Sequence, residues 1–270
     1  MQTCDLGGLL VGPPHPIRCM GVINCSPESF FSGSYVPPEM TASRAADLVA
    51  MGADIIDIGA RSTAPHSHPI SVSEERERLK TSLAELSDID IRVSVDTRYP
   101  EVLEACLRFD ITAVNDIHGL ADEAFAKLLG DSGLPAIVMA AEREPGDAVG
   151  ADATMRVLDL VMQRAERNGI QNIILDPGIG KWTTTRSPEN DWELCASFSR
   201  FLEFNRPLIA AISRKSFIGD LLDADAQDRL AGTLGVTYHL LEQGASLVRA
   251  HDVKETKDLI KVFEKLREPK

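Results

Sequence analysis

Residues 174–180 read ILDPGIG, residues 211–219 read AISRKSFIG and residues 248–253 read VRAHDV. In each stretch a short apolar run gives way abruptly to polar or charged side chains. An apolar run of this length without alternation is what a strand buried on both faces looks like. A charged side chain just beyond it stands where the strand emerges into solvent. Asp176, Lys215, Arg249 and His251 are therefore expected at one mouth of a parallel sheet, far apart in the chain but close in space.

The same pattern recurs upstream. Apolar runs occupy residues 20–24, 55–59, 93–96, 112–115, 136–139, 173–176, 208–213 and 246–249. Segments with helical spacing lie between them: 43–51, 74–86, 100–109, 123–129, 153–168, 193–204, 229–243 and 254–266. Gly52, Gly169 and Gly244 stand where three of these helices should stop. Pro100 suits a first helical turn. Asp252 with Glu255 has the spacing of a capping box for the last helix. Eight alternations without a Pro/Gly/Ser-rich linker or an internal repeat predict a single (β/α)8 TIM barrel spanning residues 1–270, with 1–18 as an N-terminal extension. An open doubly wound sheet is the alternative, but it calls for a glycine-rich loop after the first strand, and SPESFFSG is not one.

The chain has 270 residues, 44% hydrophobic composition and a net charge of −13. That acidity argues against nucleic-acid or anionic-membrane partners, which need a basic face. Five scattered cysteines without a CxxC pair argue against a zinc site or disulfide framework and fit a reducing cytoplasm. The first 18 residues hold one brief apolar stretch, neither signal peptide nor membrane span.

In a parallel barrel the loops at the C-terminal strand ends carry the chemistry. Here those ends carry Asn24, Asp57, Asp96, Asn115 with Asp116, Met139, Asp176, the 213–216 turn and the 249–251 turn. Asp96, Asn115 and Asp176 can accept from and donate to the edge of a flat heterocycle with an amino-pyrimidinone face. Lys215, Arg249 and His251 suit phosphate. A helix starting near Ser216 favours an anion there too. One pocket with a hydrogen-bonding end and an anion end points to a heterocycle bearing phosphate or diphosphate. Asn24 offers an oxygen to a Mg²⁺ carried by that diphosphate.

At these residues the chain resembles dihydropteroate synthase and the wider pterin-binding family. GVINCSPESF, GADIIDIGARST, SVDT, VNDI, DPGIG, SRKSFIG and RAHDV are similar to seven of that family's motifs, in order, from about Gly21 to Val253. The resemblance implies that Asp96, Asn115 and Asp176 hold the pterin ring, with Met139 on its face. It implies that Lys215 meets the pterin and an incoming arylamine, and that Arg249 stacks on the ring while reaching the diphosphate. His251 and Asn24 would complete a diphosphate–Mg²⁺ site, and Ser216 would lie near the acceptor's anionic end. The implied reaction is departure of diphosphate from the pterin methylene and capture of the resulting cation by the arylamine. A homodimer is implied by the family alone.

Two loops depart from the family pattern. The first reads SPESFFSGS; the second, GARSTAPH, carries Arg61, Ser62 and Thr63 and has Ala64 where the family has arginine. After DPGIG, Lys181-Trp182-Thr183 replace phenylalanine, glycine and lysine, and Ala140 follows Met139 where the family has histidine. Lys181, Arg186 and Arg61 would suit an acceptor with its own phosphate, such as the ribofuranosyl-aminobenzene 5′-phosphate of methanopterin synthesis, in place of p-aminobenzoate. Trp182 and Trp192 flank the 181–191 loop and either shield the pocket or anchor the loop. Two other functions compete: a methyltransferase passing a methyl group from a reduced pterin to a corrinoid protein, and a pterin-binding protein without catalysis.

Overall fold

The computed structural model describes residues 2–27, 35–62, 68–87 and 89–268. The chain starts with an antiparallel hairpin, β1 (Cys4–Leu6) and β2 (Leu9–Val11), turned at Gly7-Gly8, both with positive φ. That two-residue turn suits only residues free of a Cβ penalty. Eight parallel strands follow: β3 (Arg18–Asn24), β4 (Ile55–Gly59), β5 (Val93–Asp96), β6 (Ala113–Asp116), β7 (Ala136–Met139), β8 (Ile173–Asp176), β9 (Ile209–Ala210) and β10 (Leu247–Ala250). Their order is β8-β7-β6-β5-β4-β3-β10-β9. A parallel bridge between Leu175 and Leu208 joins β8 to the entry of β9 and brings the two ends together as a nearly closed barrel. The fold is the expected TIM barrel.

Strand alternation sorts the side chains. Outward-facing residues such as Cys19, Ile56, Val114, Val138 and Leu175 pack under the helices in the larger core. Inward-facing Met20, Ile55, Ala113, Ile137, Ile174, Ile209 and Leu247 form a separate apolar floor. Cys4, Leu6, Leu9 and Val11 of the hairpin belong to that floor, so much of the expected extension plugs the bottom of the barrel.

The helices are α1 (Thr41–Ala50), α2 (Val72–Ala84), α3 (Pro100–Cys106), α4 (Glu123–Ser132), α5 (Ala151–Arg167), α6 (Pro188–Ala196), α7 (Ser216–Leu222), α8 (Leu230–Glu242) and α9 (Val253–Arg267). Gly52, Gly169 and Gly244 follow helices with positive φ, as expected. Two expectations need correcting. The segment 193–204 is not one helix. Ser187 and Asn190 form a capping box with Pro188 between them, so α6 starts earlier and gives way to a 3-10 turn at Phe198–Phe204. Asp252 precedes α9 but its carboxylate caps nothing, because Arg214 takes both oxygens at 2.7 Å. Among the described residues no helix is long and apolar enough to cross a membrane.

Candidate active site

The site is the floor's register continued one step up. Two residues beyond Ile55 stands Asp57, beyond Ala113 Asn115, beyond Ile174 Asp176, and beyond Leu247 Arg249. Since the side-chain period of a strand is two, each polar residue inherits the inward direction of the apolar one below it. Cross-strand pairing levels them: Asp57 pairs with Ser94, Asp96 with Asn115, and Met139 with Asp176. The result is a cavity of about 540 Å³ at the C-terminal mouth of the barrel.

Asp96, Asn115, Asp176, Lys215, Arg249 and His251 all line this cavity, with Asn24, Arg61, Ser62, Lys181 and Ser216 toward its rim. Thr63 lies outside the described residues. Met139 does not line the cavity; it is 1% exposed and its side chain lies against Gly178. The strand end is inward-facing as expected, but the turn after β8 covers it. Arg186 is also out of reach: it is 2% exposed and paired to the equally buried Asp191 at 3.0 Å. Arg61 lines the cavity, yet its Nε donates to Glu75 at 2.5 Å and its Nη1 to the Ile70 carbonyl at 2.7 Å.

A charge network underlies the inner end. Arg249 donates from Nε to Asp57 Oδ2 at 2.7 Å and from Nη2 to Asp96 Oδ2 at 3.2 Å. Asp57 is fully buried, and the same oxygen accepts Asn115 Nδ2 at 3.0 Å. Asp57 thus fixes two cavity-lining side chains at once, a role its position in the strand alone does not reveal. Burial and the neighbouring Asp57 charge push Asp96 up to about 7 against the pull of Arg249. Burial likewise raises Asp176, outweighing Lys215 and the Gly178 N–H that donates to it at 2.7 Å.

Lys215 sits between two strands' loops. Its Nζ donates to the Ile179 carbonyl and lies 4.9 Å from the centre of the Trp182 ring. Burial pulls the ammonium down to about 8, with Asp176 and Asp191 holding it from falling further. The Trp182 indole N–H donates to the Gly178 carbonyl at 2.9 Å, and the ring also lines the cavity. It both anchors the loop and walls the pocket, whereas Trp192 packs edge-on against Phe217, 4.8 Å away. His251 Nδ1 lies 3.0 Å from Ser213 Oγ. Burial and Arg249 depress it to about 3, so before an anion arrives it is neutral at physiological pH, not a cation. Arg214, at a positive φ of 56°, ties the turn after β9 to Asp252 and to the carbonyls of Ala226 and Gln227.

This arrangement can hold a flat, polar heterocycle by its edge and an anion beside it. The pattern of the pterin binding enzymes matches residues 20–251. The chain belongs to the pterin-binding enzyme family. Dihydropteroate synthase of Escherichia coli is 32% identical over 262 residues, covering 93% of this chain and 91% of that one. Among solved structures, the Yersinia pestis dihydropteroate synthase with a sulfonamide drug complex matches with a TM-score of 0.88 at 28% identity and full coverage of both chains. The Xanthomonas albilineans dihydropteroate synthase with 4-aminobenzoic acid matches with a TM-score of 0.87 at 30% identity over 99% of each chain. Within this family the chain is a transferase similar to the dihydropteroate synthases.

Proposed function

We propose that the protein condenses 6-hydroxymethyl-7,8-dihydropterin diphosphate with a p-aminobenzoate-type arylamine and releases diphosphate. The observation that carries this reading is that one cavity holds both halves of the chemistry. Asp96, Asn115 and Asp176, which suit the edge of the heterocycle, line it together with Lys215, Arg249 and His251, which suit the anion. The pterin methylene C–O bond breaks with its electron pair leaving on diphosphate. The arylamine nitrogen then bonds to the methylene carbon and loses a proton to solvent. Fixed positive charge at the leaving group is the main catalytic need, and a neutral arylamine needs no dedicated base.

Asn24 fits a substrate-borne divalent ion. Its Oδ1 accepts the Ser26 N–H at 3.1 Å, which leaves a second lone pair. Among the described residues no three His, Cys, Asp or Glu side chains gather to hold an ion alone. A Mg²⁺ taking one oxygen from Asn24 and the rest from diphosphate and water matches that donor set and would neutralise the leaving charge.

For the acceptor, the geometry favours p-aminobenzoate over a phosphorylated arylamine. Of the three cations that suited a second phosphate, Arg186 is paired with Asp191 and Arg61 with Glu75. Lys181 alone is exposed on the rim, enough for one carboxylate beside Ser216. Product analysis with both arylamines tests this. Formation of dihydropteroate and diphosphate from p-aminobenzoate is expected, with Lys181→Ala raising KM for the arylamine about 2- to 5-fold. Turnover of only the phosphorylated acceptor overturns the acceptor assignment, and no diphosphate release with either points to methyl transfer or simple binding. The protein acts on small molecules; we place it in the cytoplasm as a homodimer by analogy with its family.

Asp96 adds a pH dependence. A pterin offers ring N–H and amino donors, which favour the carboxylate over the carboxylic acid. Free Asp96 titrates near 7, so binding releases a proton below that pH. Pterin affinity is expected to be full above pH 7 and to weaken up to about tenfold per unit below it. Isothermal titration at pH 5.5, 6.5 and 8 checks this; equal affinity at all three would exclude a neutral Asp96 in the free enzyme.

A further inference from the structure

The strap that runs from Gly178 to Trp182 after β8 is fastened from outside the cavity. Asp191, near the start of α6, is 1% exposed and does not line the cavity. Its Oδ1 accepts the Gly180 N–H at 2.8 Å and Arg186 Nε at 3.0 Å, while its Oδ2 is buried without a partner. Gly180 is the residue on which Lys215 rests. It has φ of 136°, and a Cβ there would come within 2.7 Å of Lys215 Cδ and 2.9 Å of Nζ. The residue before Gly180 supplies the carbonyl that takes the Lys215 ammonium, and Trp182 N–H bonds back to the Gly180 carbonyl at 3.0 Å. One buried carboxylate therefore sets the height of the strap against which Lys215 lies. It also leaves an oxygen uncompensated by hydrogen bonds in a low-dielectric region, where its field reaches further.

We propose that Asp191 is a positioning residue for Lys215, fixing the ammonium through the Gly180 strap and holding it charged, with Arg186 setting how much of the Asp191 charge is felt. The groups acting on Lys215 come from every neighbouring element: Asp176 on β8, Asp191 on α6, Arg249 on β10 and Arg186 ahead of α6. His251, after β10, is neutral, and the buried Cys195 thiol on α6, pushed up to about 12, is neutral too. Asp176 and Asp191 are thus the negative charges that favour the ammonium. Asp176 lines the cavity, where a ligand can reach it, whereas Asp191 lies outside and keeps its partners whatever the cavity holds.

The test reads Lys215 directly. Trace acetic anhydride is added to the intact protein across pH 6–10.5, and acetylation of Lys215 is followed by peptide mass spectrometry. Wild type should show a midpoint near 8. Asp191→Asn should lower it by about one pH unit, and Arg186→Gln, which unmasks the Asp191 charge, should raise it. Loosening of the loop alone would move both variants the same way, so opposite signs support the proposal. Shifts of equal sign, or no shift in a folded Asp191→Asn, overturn it. If Asp191→Asn does not fold, the double variant Arg186→Gln/Asp191→Asn, which removes both buried charges, takes its place: a midpoint below that of Arg186→Gln supports the proposal and one equal to it overturns it. Labelling does not require turnover. The upper pH limit of the condensation should move in step with it, and that arm alone rests on the proposed synthase activity.

Discussion

Arg249→Ala is expected to lose both activity and stability, for separable reasons. The guanidinium is the positive group that joins the buried Asp57 to the cavity-lining Asp96, reaching Asp57 with Nε and Asp96 with Nη2. In the proposed reaction it also faces the departing diphosphate. Losing a fixed donor at developing charge reduces kcat by about 10²- to 10³-fold. The stability loss has a different origin. Asp57 is fully buried, and removing its ionic partner leaves a carboxylate with Asn115 alone. Breaking such a pair from one side costs about 3–5 kcal/mol, because the remaining charge is stranded. For a chain this size each kcal/mol moves Tm by about 2–4 °C.

The two effects separate in a second variant. Asp57→Asn with Arg249→Leu removes both charges and keeps a donor–acceptor pair between residues 57 and 115. It should recover most of the lost Tm and none of the turnover. Arg249→Lys is informative as well, because one ammonium cannot reproduce the planar fork that reaches two carboxylates at once. A double variant as unstable as Arg249→Ala would show that the pair is not the source of the destabilisation. A fully active Arg249→Lys would mean that charge alone, without the fork, suffices.

The barrel and most of its mouth were legible because two signals coincide. Unalternating apolar runs mark strands buried on both faces, and the first polar residue after each marks the mouth. Hence the chain alone points to Asp96, Asn115, Asp176, Lys215, Arg249 and His251 as neighbours, and all six line the cavity. What was not legible is which polar residue serves another. Asp57 looks like any strand-end acid, yet it anchors Arg249 and Asn115. Arg186 and Lys181 look alike on paper, but one is buried against Asp191 and the other is exposed. Asp252 has capping-box spacing, and a side chain 38 residues away claims it. In each case the deciding partner is distant in sequence or set by loop geometry. The hairpin is illegible for a similar reason: three-residue strands carry too little pattern to stand out, and only the barrel floor explains why they are apolar.

Lys215→Met should leave an enzyme that is nearly inactive and more stable than wild type. Burial holds the Lys215 ammonium at about 8, below the 10.5 of an exposed lysine. Unfolded chains therefore bind a proton that the folded protein releases between those two values. Over that window stability rises with pH, and below about 8 the folded state carries the whole penalty of a desolvated ammonium. After allowance for partial screening by water at the cavity surface, this amounts to about 1–2 kcal/mol at pH 7. Methionine fills much the same volume without the charge. Its Tm should exceed that of wild type by several degrees at pH 7, with the gap closing as pH approaches 10.5. Activity runs the other way. The ammonium is the form that can donate to the pterin and oppose developing negative charge, so wild-type turnover should decline above pH 8 while Lys215's contribution to stability improves. Differential scanning calorimetry and initial rates on the same buffers check both slopes. Parallel pH dependences, or a Lys215→Met variant less stable than wild type at pH 7, would show that the ammonium is held by its neighbours more firmly than burial opposes it. The opposed slopes follow from placing a charge where the substrate, not the folded protein alone, will satisfy it.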